Sequence, residues 1–454
     1  MPEAFVNQVQ PALEFIPPNF SEPVRWVVNR ALPWWLKHQL QIAQVDTSNV
    51  ATLAQLYQQF QAKKIRLIIA FRHPQTTDPF CLAHLLWNAV PQAARSGQIS
   101  LNGLTHSHFM YDRGIPLWAG SWVTWLLSHL GGTPIMRGKV DRPGLKSARD
   151  LLLNGQFPLT VAPEGATNNH SEIVSPLEPG VAQLAFWCDT DLQKSDRPEQ
   201  VIVVPVGLQY GYMDPPWTAI DQLLATLEAD LNIPPSSTPE QEASVTETRY
   251  RRLYALGEAM LDLMENFYRD FYRRSLPQVT ETDPNQKFAQ RLQNLLDATL
   301  TVAEEYLNVK PRGTVGDRCR RLEQAGWDRI YRADLPEMSP VERGLADWVA
   351  REASSRMGHM RLVERFTAVT GKYVREKPSA ERFAETLLIV WRVSQWIQGN
   401  PASNPPQLGA QRVWIRVGEP INVSDRQESY SQDRKGAIAD LTSTLQHQLE
   451  SLIQ

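Results

Sequence analysis

At 454 residues, with 42% hydrophobic and 21% charged side chains, the chain exceeds one ordinary domain and has a folded globular composition, which excludes disorder and a multi-span membrane protein. A formal net charge of -3 excludes a protein whose main work is neutralising nucleic-acid phosphates, so any anion binding must be local. The three cysteines, Cys81, Cys188 and Cys319, lack CxxC spacing, support neither a metal site nor a disulfide framework, and fit a reducing cytoplasm.

In chain order, residues 1 to about 60 read as a helical segment punctuated by Pro17, Pro18, Pro23 and Pro33. The start, MPEAFVNQVQ, lacks the basic, apolar and small-residue parts of a secretory signal. Trp26 beside Arg25 and Arg30, and Trp34 and Trp35 beside Lys37, suit a membrane interface; packing of an amphipathic helix on the core is the plainer expectation. IRLIIAF, Ile65 to Phe71, is a short apolar and partly β-branched run that predicts a buried strand leading into HPQTTDPF. Asp78 then reads as an N-cap with Pro79 at the first helical position, and the helix is expected to run through Trp87.

Gly114 to Met136 is free of Asp, Glu, Lys and Arg, but its prolines and glycines fit a core or interfacial helix between turns better than a span. A strand at Thr133 to Met136 follows, then a helix from Gly144 to Leu153, the strand PLTVA at 158–162 and a helix after Gly180. The strand VIVVPVGL at 201–208 closes the series. Such alternation predicts an α/β fold, a mostly parallel sheet covered on both faces.

Beyond Tyr212 the texture changes: IPPSSTPE at 233–240 is a turn-rich linker, and long helical patterns follow. Leu253, Leu256, Met260, Leu263 and Phe267 form one apolar stripe, Asp283-Pro284 opens a second helix, and Ser339 with Glu342 forms a capping box for another. RVWIRVGEPINV at 412–423 returns to strand texture before a final amphipathic helix. The expected organisation is an N-terminal helical segment (1–60), an α/β core (61–233), a long all-helical insertion acting as a structural cap (234–405), and a closing strand and helix of the core (406–454).

His73 stands at a strand exit, with Asp78 five positions later at a helix start. Imidazole accepts a proton near neutral pH, and a neighbouring carboxylate fixes its tautomer and stabilises the imidazolium that forms. Taken alone, the pair is read as an ordinary loop histidine and a helix cap. What distinguishes it is the ordered series that follows: FRHPQTTDPF at 71–80, GGTPIMR at 131–137, APEG at 162–165 and VVPVGL at 203–208.

These blocks resemble the glycerolipid acyltransferase family, which includes lysophosphatidate and glycerol-3-phosphate acyltransferases with an HxxxxD motif. The resemblance spans residues about 60 to 215 and about 410 to 454. It implies that His73 is the general base and Asp78 its orienting partner. Arg137 would bind the acceptor phosphate, Gly132 of the same block would be a substrate-binding residue, Glu164 and Gly165 would shape acceptor binding, and Pro205 would serve packing or the acyl donor. A guanidinium at Arg137 suits a phosphate because its planar fork can grip two oxygens.

The third block departs from the family's pattern, with Ala162 in place of an aromatic residue and Thr167 where an arginine is common, so the acceptor is left open. Lys139, Arg142, Lys146 and Arg149 are further cations near Arg137. The donor is acyl-CoA or acyl carrier protein, and no metal or redox cofactor is expected. A dozen buried methylenes contribute roughly ~10 kcal/mol, so the site must open onto an apolar tunnel or a bilayer. Trp118, Trp122, Trp125, Leu126 and Leu127 could line it or simply pack the core. The leading expectation is an O-acyltransferase of phospholipid biosynthesis that is cytoplasmic and peripherally membrane-associated. The rivals are an inactive lipid-binding or regulatory protein on the same fold, and acyl transfer to a non-phosphate acceptor.

Overall fold

The seven residues from Ile65 to Phe71 are all buried, and strand alternation sends Leu67, Ile69 and Phe71 into one apolar cluster and Ile68 and Ala70 into another. A strand apolar on both faces requires cover on both, and this is what the computed structural model shows for its α/β unit. The described residues are 6–136, 141–234, 244–366, 372–400 and 404–454. They fall into two compact units: residues 15–136, 141–213 and 410–454 form one, and residues 6–14, 214–234, 244–366, 372–400 and 404–409 the other.

The α/β unit holds an eight-stranded sheet: β1 (Ile42–Ser48), β2 (Ile65–Phe71), β3 (His108–Asp112), β4 (Gly132–Ile135), β5 (Leu159–Val161), β6 (Gln200–Tyr212), β7 (Gln411–Val417) and β8 (Ile421–Asn422). Their order is β1-β7-β6-β2-β5-β3-β4, with β8 paired to β6. All pairings are parallel except β6 with β7 and β6 with β8, so the mostly parallel covered sheet read from the sequence is present. Helices Glu22–His38, Val50–Gln61 and Asp78–His84 cover one face, and Arg142–Asn154, Gly180–Lys194 and Arg434–Ser451 cover the other.

Two sequence expectations in this unit need correction. Residues 1–60 are not one helical segment: Ile42–Ser48 is a strand, held as a parallel edge partner of β7 from the far end of the chain, a pairing invisible to local pattern. Val6 and Val9 instead belong to the helical unit, where their N–H groups donate to Ser354 Oγ and Asp347 Oδ1. The helix starting at Asp78 extends past Trp87 to Ser96 through one π turn, Leu85–Ala89, at the place where Pro91 cannot donate to the preceding turn.

In the helical unit, Asp283 caps Pro284–Leu307, and Ser339 and Glu342 exchange the two capping-box bonds at the start of Pro340–Phe366. The unit is not wholly helical, since Gln10–Pro11 pairs in parallel with Tyr331–Arg332. Along Val245–Asp270, Leu253, Leu256 and Met260 are buried as expected, but Leu263 and Phe267 are exposed, and Leu261 and Met264 take the inward positions. The last helical segment before β7, Ala380–Ile397, packs on Trp217–Asp230, so the helical unit begins at Asp214 rather than at 234.

Buried histidines give the α/β unit a definite pH response. His106 packs among Phe20, Trp87 and Phe157, accepts from Trp87 Nε1–H at 2.9 Å and donates through Nε2 to the Leu130 carbonyl at 2.9 Å. Burial pushes its pKa down to about 3, and burial also lowers His84 and His108. A base whose folded pKa is depressed contributes stability that is present above its unfolded pKa and lost as pH falls. Denaturant unfolding should therefore show stability falling between about pH 6.5 and pH 4, by up to roughly 1.4 kcal/mol per unit for His106. His106→Leu should flatten that dependence; an unchanged pH slope contradicts the assignment.

Candidate active site

Register along the parallel strands builds the site. Ala70 of β2 pairs with Val161 of β5 and with Pro205 of β6. Three residues further on, at the carboxyl ends, His73 and Glu164 therefore stand level, and Tyr210 lies just beyond on β6. Ligands of open parallel sheets bind at this end. The His73 main-chain N–H donates to Glu164 Oε1 at 2.7 Å, which joins the two loops directly.

His73 Nδ1 lies 2.8 Å from Asp78 Oδ2. The same oxygen accepts the Gln75 N–H at 3.0 Å, and the other oxygen, Oδ1, accepts the Tyr210 hydroxyl. Asp78 is fully buried, whereas the His73 side chain is 21% exposed and packs edge-on against Phe71. A carboxylate at Nδ1 selects the tautomer with Nδ1–H and leaves the Nε2 lone pair free to take a proton. Among the described residues no side chain or carbonyl bonds Nε2. Thr77 occupies the helix N-cap position, and the Asp78 carboxylate turns back to the loop rather than capping the helix as the sequence suggested.

The loop is held rigid from beneath. Arg72 is fully buried, its Nη1 donating to the carbonyls of Ser171 and Leu208 at 2.7 Å and its Nη2 to those of His170 and Ile173 at 2.6 and 2.5 Å. Glu164 is buried too: Oε2 accepts the Ser175 N–H at 2.8 Å and Asn168 Nδ2 at 3.2 Å. Burial raises the Glu164 pKa, opposed by the His73 and Ser175 N–H groups and by the nearby Arg72 charge. Gly165 has a φ of +73°, a left-handed turn position that glycine fits, and Asn169 N–H closes onto the Pro74 carbonyl at 3.0 Å.

Other sequence-singled residues fall elsewhere. Gly132 opens β4, three strands from β2 or roughly 14 Å at about 4.8 Å per strand. A Cβ there would lie 2.5 Å from the Phe109 ring, so packing accounts for this glycine. Pro205 sits within β6, and its carbonyl accepts the Gly418 N–H at 2.8 Å. Arg137 and Lys139 lie outside the described residues. On either side of them, Asp141 accepts the Met136 N–H at 2.9 Å and Arg113 Nη2 at 2.6 Å while capping the helix Arg142–Asn154. Arg142 and Lys146 are exposed, but Arg149 is engaged by both oxygens of Asp191 at 2.5 Å and lies over Trp187.

The tryptophans correct the core-packing expectation: Trp26, Trp34, Trp122 and Trp125 are each more than half exposed, and Trp35 is also exposed. Leu126 and Leu127 are half-buried, and the side chain of Trp118 lies outside the described residues. The helices bearing these indoles adjoin, because Asn19 and Ser21 N–H groups donate to the Ser128 and His129 carbonyls. Trp35 also stacks on Phe80 of the helix that begins with Asp78, at 6.3 Å between rings.

Sequence reasoning missed Tyr210 and Arg72. Alternation along β6 places Tyr210 with Val204, Val206 and Leu208 on the face of Phe71 and Cys81, which gives its face but not its hydrogen bond to Asp78. Arg72 signalled itself only as a cation wedged between Phe71 and His73 at the end of a mostly apolar run.

Residues 48–209 match the family model described as Acyltransferase, a segment of a little over a third of the chain that runs from the helix Val50–Gln61 into β6. No curated protein and no solved structure matches the chain. Residues 48–209 are thus similar to the Acyltransferase family, with His73, Asp78 and Glu164 inside the matched segment and Tyr210 one residue past its end.

Proposed function

We propose that the protein transfers a fatty acyl group from the thioester of acyl-CoA or acyl carrier protein to a hydroxyl of a glycerol phosphate or lysophospholipid. His73 Nε2 takes the hydroxyl proton as the oxygen attacks the thioester carbonyl carbon. The carbon–sulfur bond then breaks, and the proton passes from the imidazolium to the departing thiolate. Asp78 holds the imidazole and stabilises its charged form between these transfers. As proposed, the reaction runs without metal or redox cofactor.

The observation that supports this reading best is the 2.8 Å contact between His73 Nδ1 and a fully buried Asp78, with Nε2 open at the carboxyl end of the sheet. Arg137 is the proposed phosphate ligand, with Gly132 in the same block. Glu164 and Gly165 are proposed to act on the acceptor through loop shape, since the Glu164 oxygens already receive two main-chain N–H groups. The exposed indoles beside Arg25, Arg30 and Lys37 support peripheral contact with a lipid surface. Among the described residues no helix is long and apolar enough to cross a membrane.

The test is an acceptor panel read by mass spectrometry. Purified protein is given palmitoyl-CoA or palmitoyl acyl carrier protein with glycerol 3-phosphate, lysophosphatidate or monoacylglycerol. Acylation of a phosphate-bearing acceptor is the expected result. Acylation of monoacylglycerol alone moves the protein to a non-phosphate acceptor, an outcome that the engagement of Arg149 by Asp191 keeps in view. Lipid binding without any product contradicts the enzymatic reading.

A further inference from the structure

We propose that Tyr210 is a positioning residue for this site, the third member of a relay in which Thr77 Oγ1–H donates to the Tyr210 oxygen, Tyr210 O–H to Asp78 Oδ1, and His73 Nδ1–H to Asp78 Oδ2. The proposal rests on the reading of His73 as the base, and extends the site past the matched acyltransferase segment, which ends at residue 209. Tyr210 is almost fully buried on β6. Thr77 Oγ1 lies 3.0 Å from its hydroxyl and Cys81 Sγ 3.6 Å.

The direction of each bond is fixed by chemistry. Burial, with the Asp78 charge beside it, holds the phenol well above its ordinary pKa, so Tyr210 keeps its proton and must donate it to the carboxylate. Burial likewise pushes the Cys81 thiol up to about 12, which leaves no thiolate to compete for that proton. Asp78 is shielded from water, and its negative charge is shared among His73, the Gln75 N–H and Tyr210. Every share drawn onto Oδ1 is withdrawn from the imidazolium on the opposite side. Tyr210 thereby fixes the orientation of the carboxylate and takes part of the charge that faces His73.

Removing the phenol has one sign whichever group holds the proton. With Oδ1 unpartnered, the carboxylate binds a proton more tightly and stabilises the imidazolium more strongly; in both limits the pair releases its proton at higher pH. Tyr210→Phe should move the proton release of the histidine–aspartate pair, and with it the acid limb of kcat, to higher pH. Thr77→Val removes the bond that polarises the phenol, leaves Asp78 and Tyr210 in place, and should move it the same way by less.

The experiment is an NMR titration of ring-labelled histidine in the full chain, with the His73 signal assigned by its absence in His73→Gln. The same variants are assayed for transfer from palmitoyl-CoA to lysophosphatidate across pH. The acid limb of kcat should shift with the NMR titration, and KM should stay near the wild-type value. A merely structural role lowers activity at all pH values and leaves the His73 titration in place. An unchanged or downward titration in Tyr210→Phe, or in Thr77→Val should the first variant fail to fold, overturns the proposal. Absence of turnover in the wild-type protein defeats the proposed function alone, because the titration still reads the relay.

Discussion

Asp78→Asn is expected to lower acyl transfer by roughly 10²- to 10⁴-fold while leaving the fold intact. The amide has the shape of the carboxylate but cannot serve three donors at once. If its oxygen faces Tyr210, the NH₂ group meets the Gln75 N–H and must donate to His73 Nδ1, which places the ring proton on Nε2 and removes the base. If it is turned around, the NH₂ group confronts the Tyr210 hydroxyl, whose oxygen already receives Thr77. In both orientations the imidazolium loses its counter-charge. The measurement is kcat under saturating donor together with thermal unfolding. A full loss of activity caused by unfolding, or activity within a few-fold of wild type, contradicts the role given to Asp78.

Arg72→Met is expected to be the most damaging substitution for stability near the site. It removes the guanidinium donors from four carbonyls, those of Ser171, Leu208, His170 and Ile173, of which Ile173 keeps Asn168 Nδ2 at 2.6 Å. Leaving buried carbonyls without donors is costly, and a loss of about 3–5 kcal/mol follows. For a unit of this size that corresponds to a fall in Tm of roughly 10 °C. Arg72→Lys should not rescue it, because one ammonium cannot reproduce a planar fork reaching carbonyls on both arms. Circular dichroism melting checks this, and variants within about 1 kcal/mol of wild type contradict the account.

The α/β class and the site's first strand were legible because Ile65–Phe71 is apolar at every position but Arg66 and leads within one residue into HPQTTD, so no partner had to be known to read it. Ile42–Ser48 was not, since its status as a strand depends on Arg412–Arg416, more than three hundred residues away. Asp78 was located but its local job was misread: Asp-Pro is a helix-start signal, and only tertiary structure shows the carboxylate turned toward His73 and Tyr210. Tyr210 was hidden for the opposite reason, because a tyrosine late in an apolar strand looks like core until the aspartate beneath it is known. The tryptophans divided between two readings that periodicity cannot separate, and exposure resolved Trp26, Trp34, Trp122 and Trp125 against the core.

The most direct measurement is the rate of transfer from palmitoyl-CoA to lysophosphatidate by His73→Ala beside the wild-type protein, with unfolding curves confirming that both are folded. The account predicts a fall of roughly 10²- to 10⁴-fold with donor binding retained. Turnover equal to wild type would remove His73 from the chemistry and contradict the account.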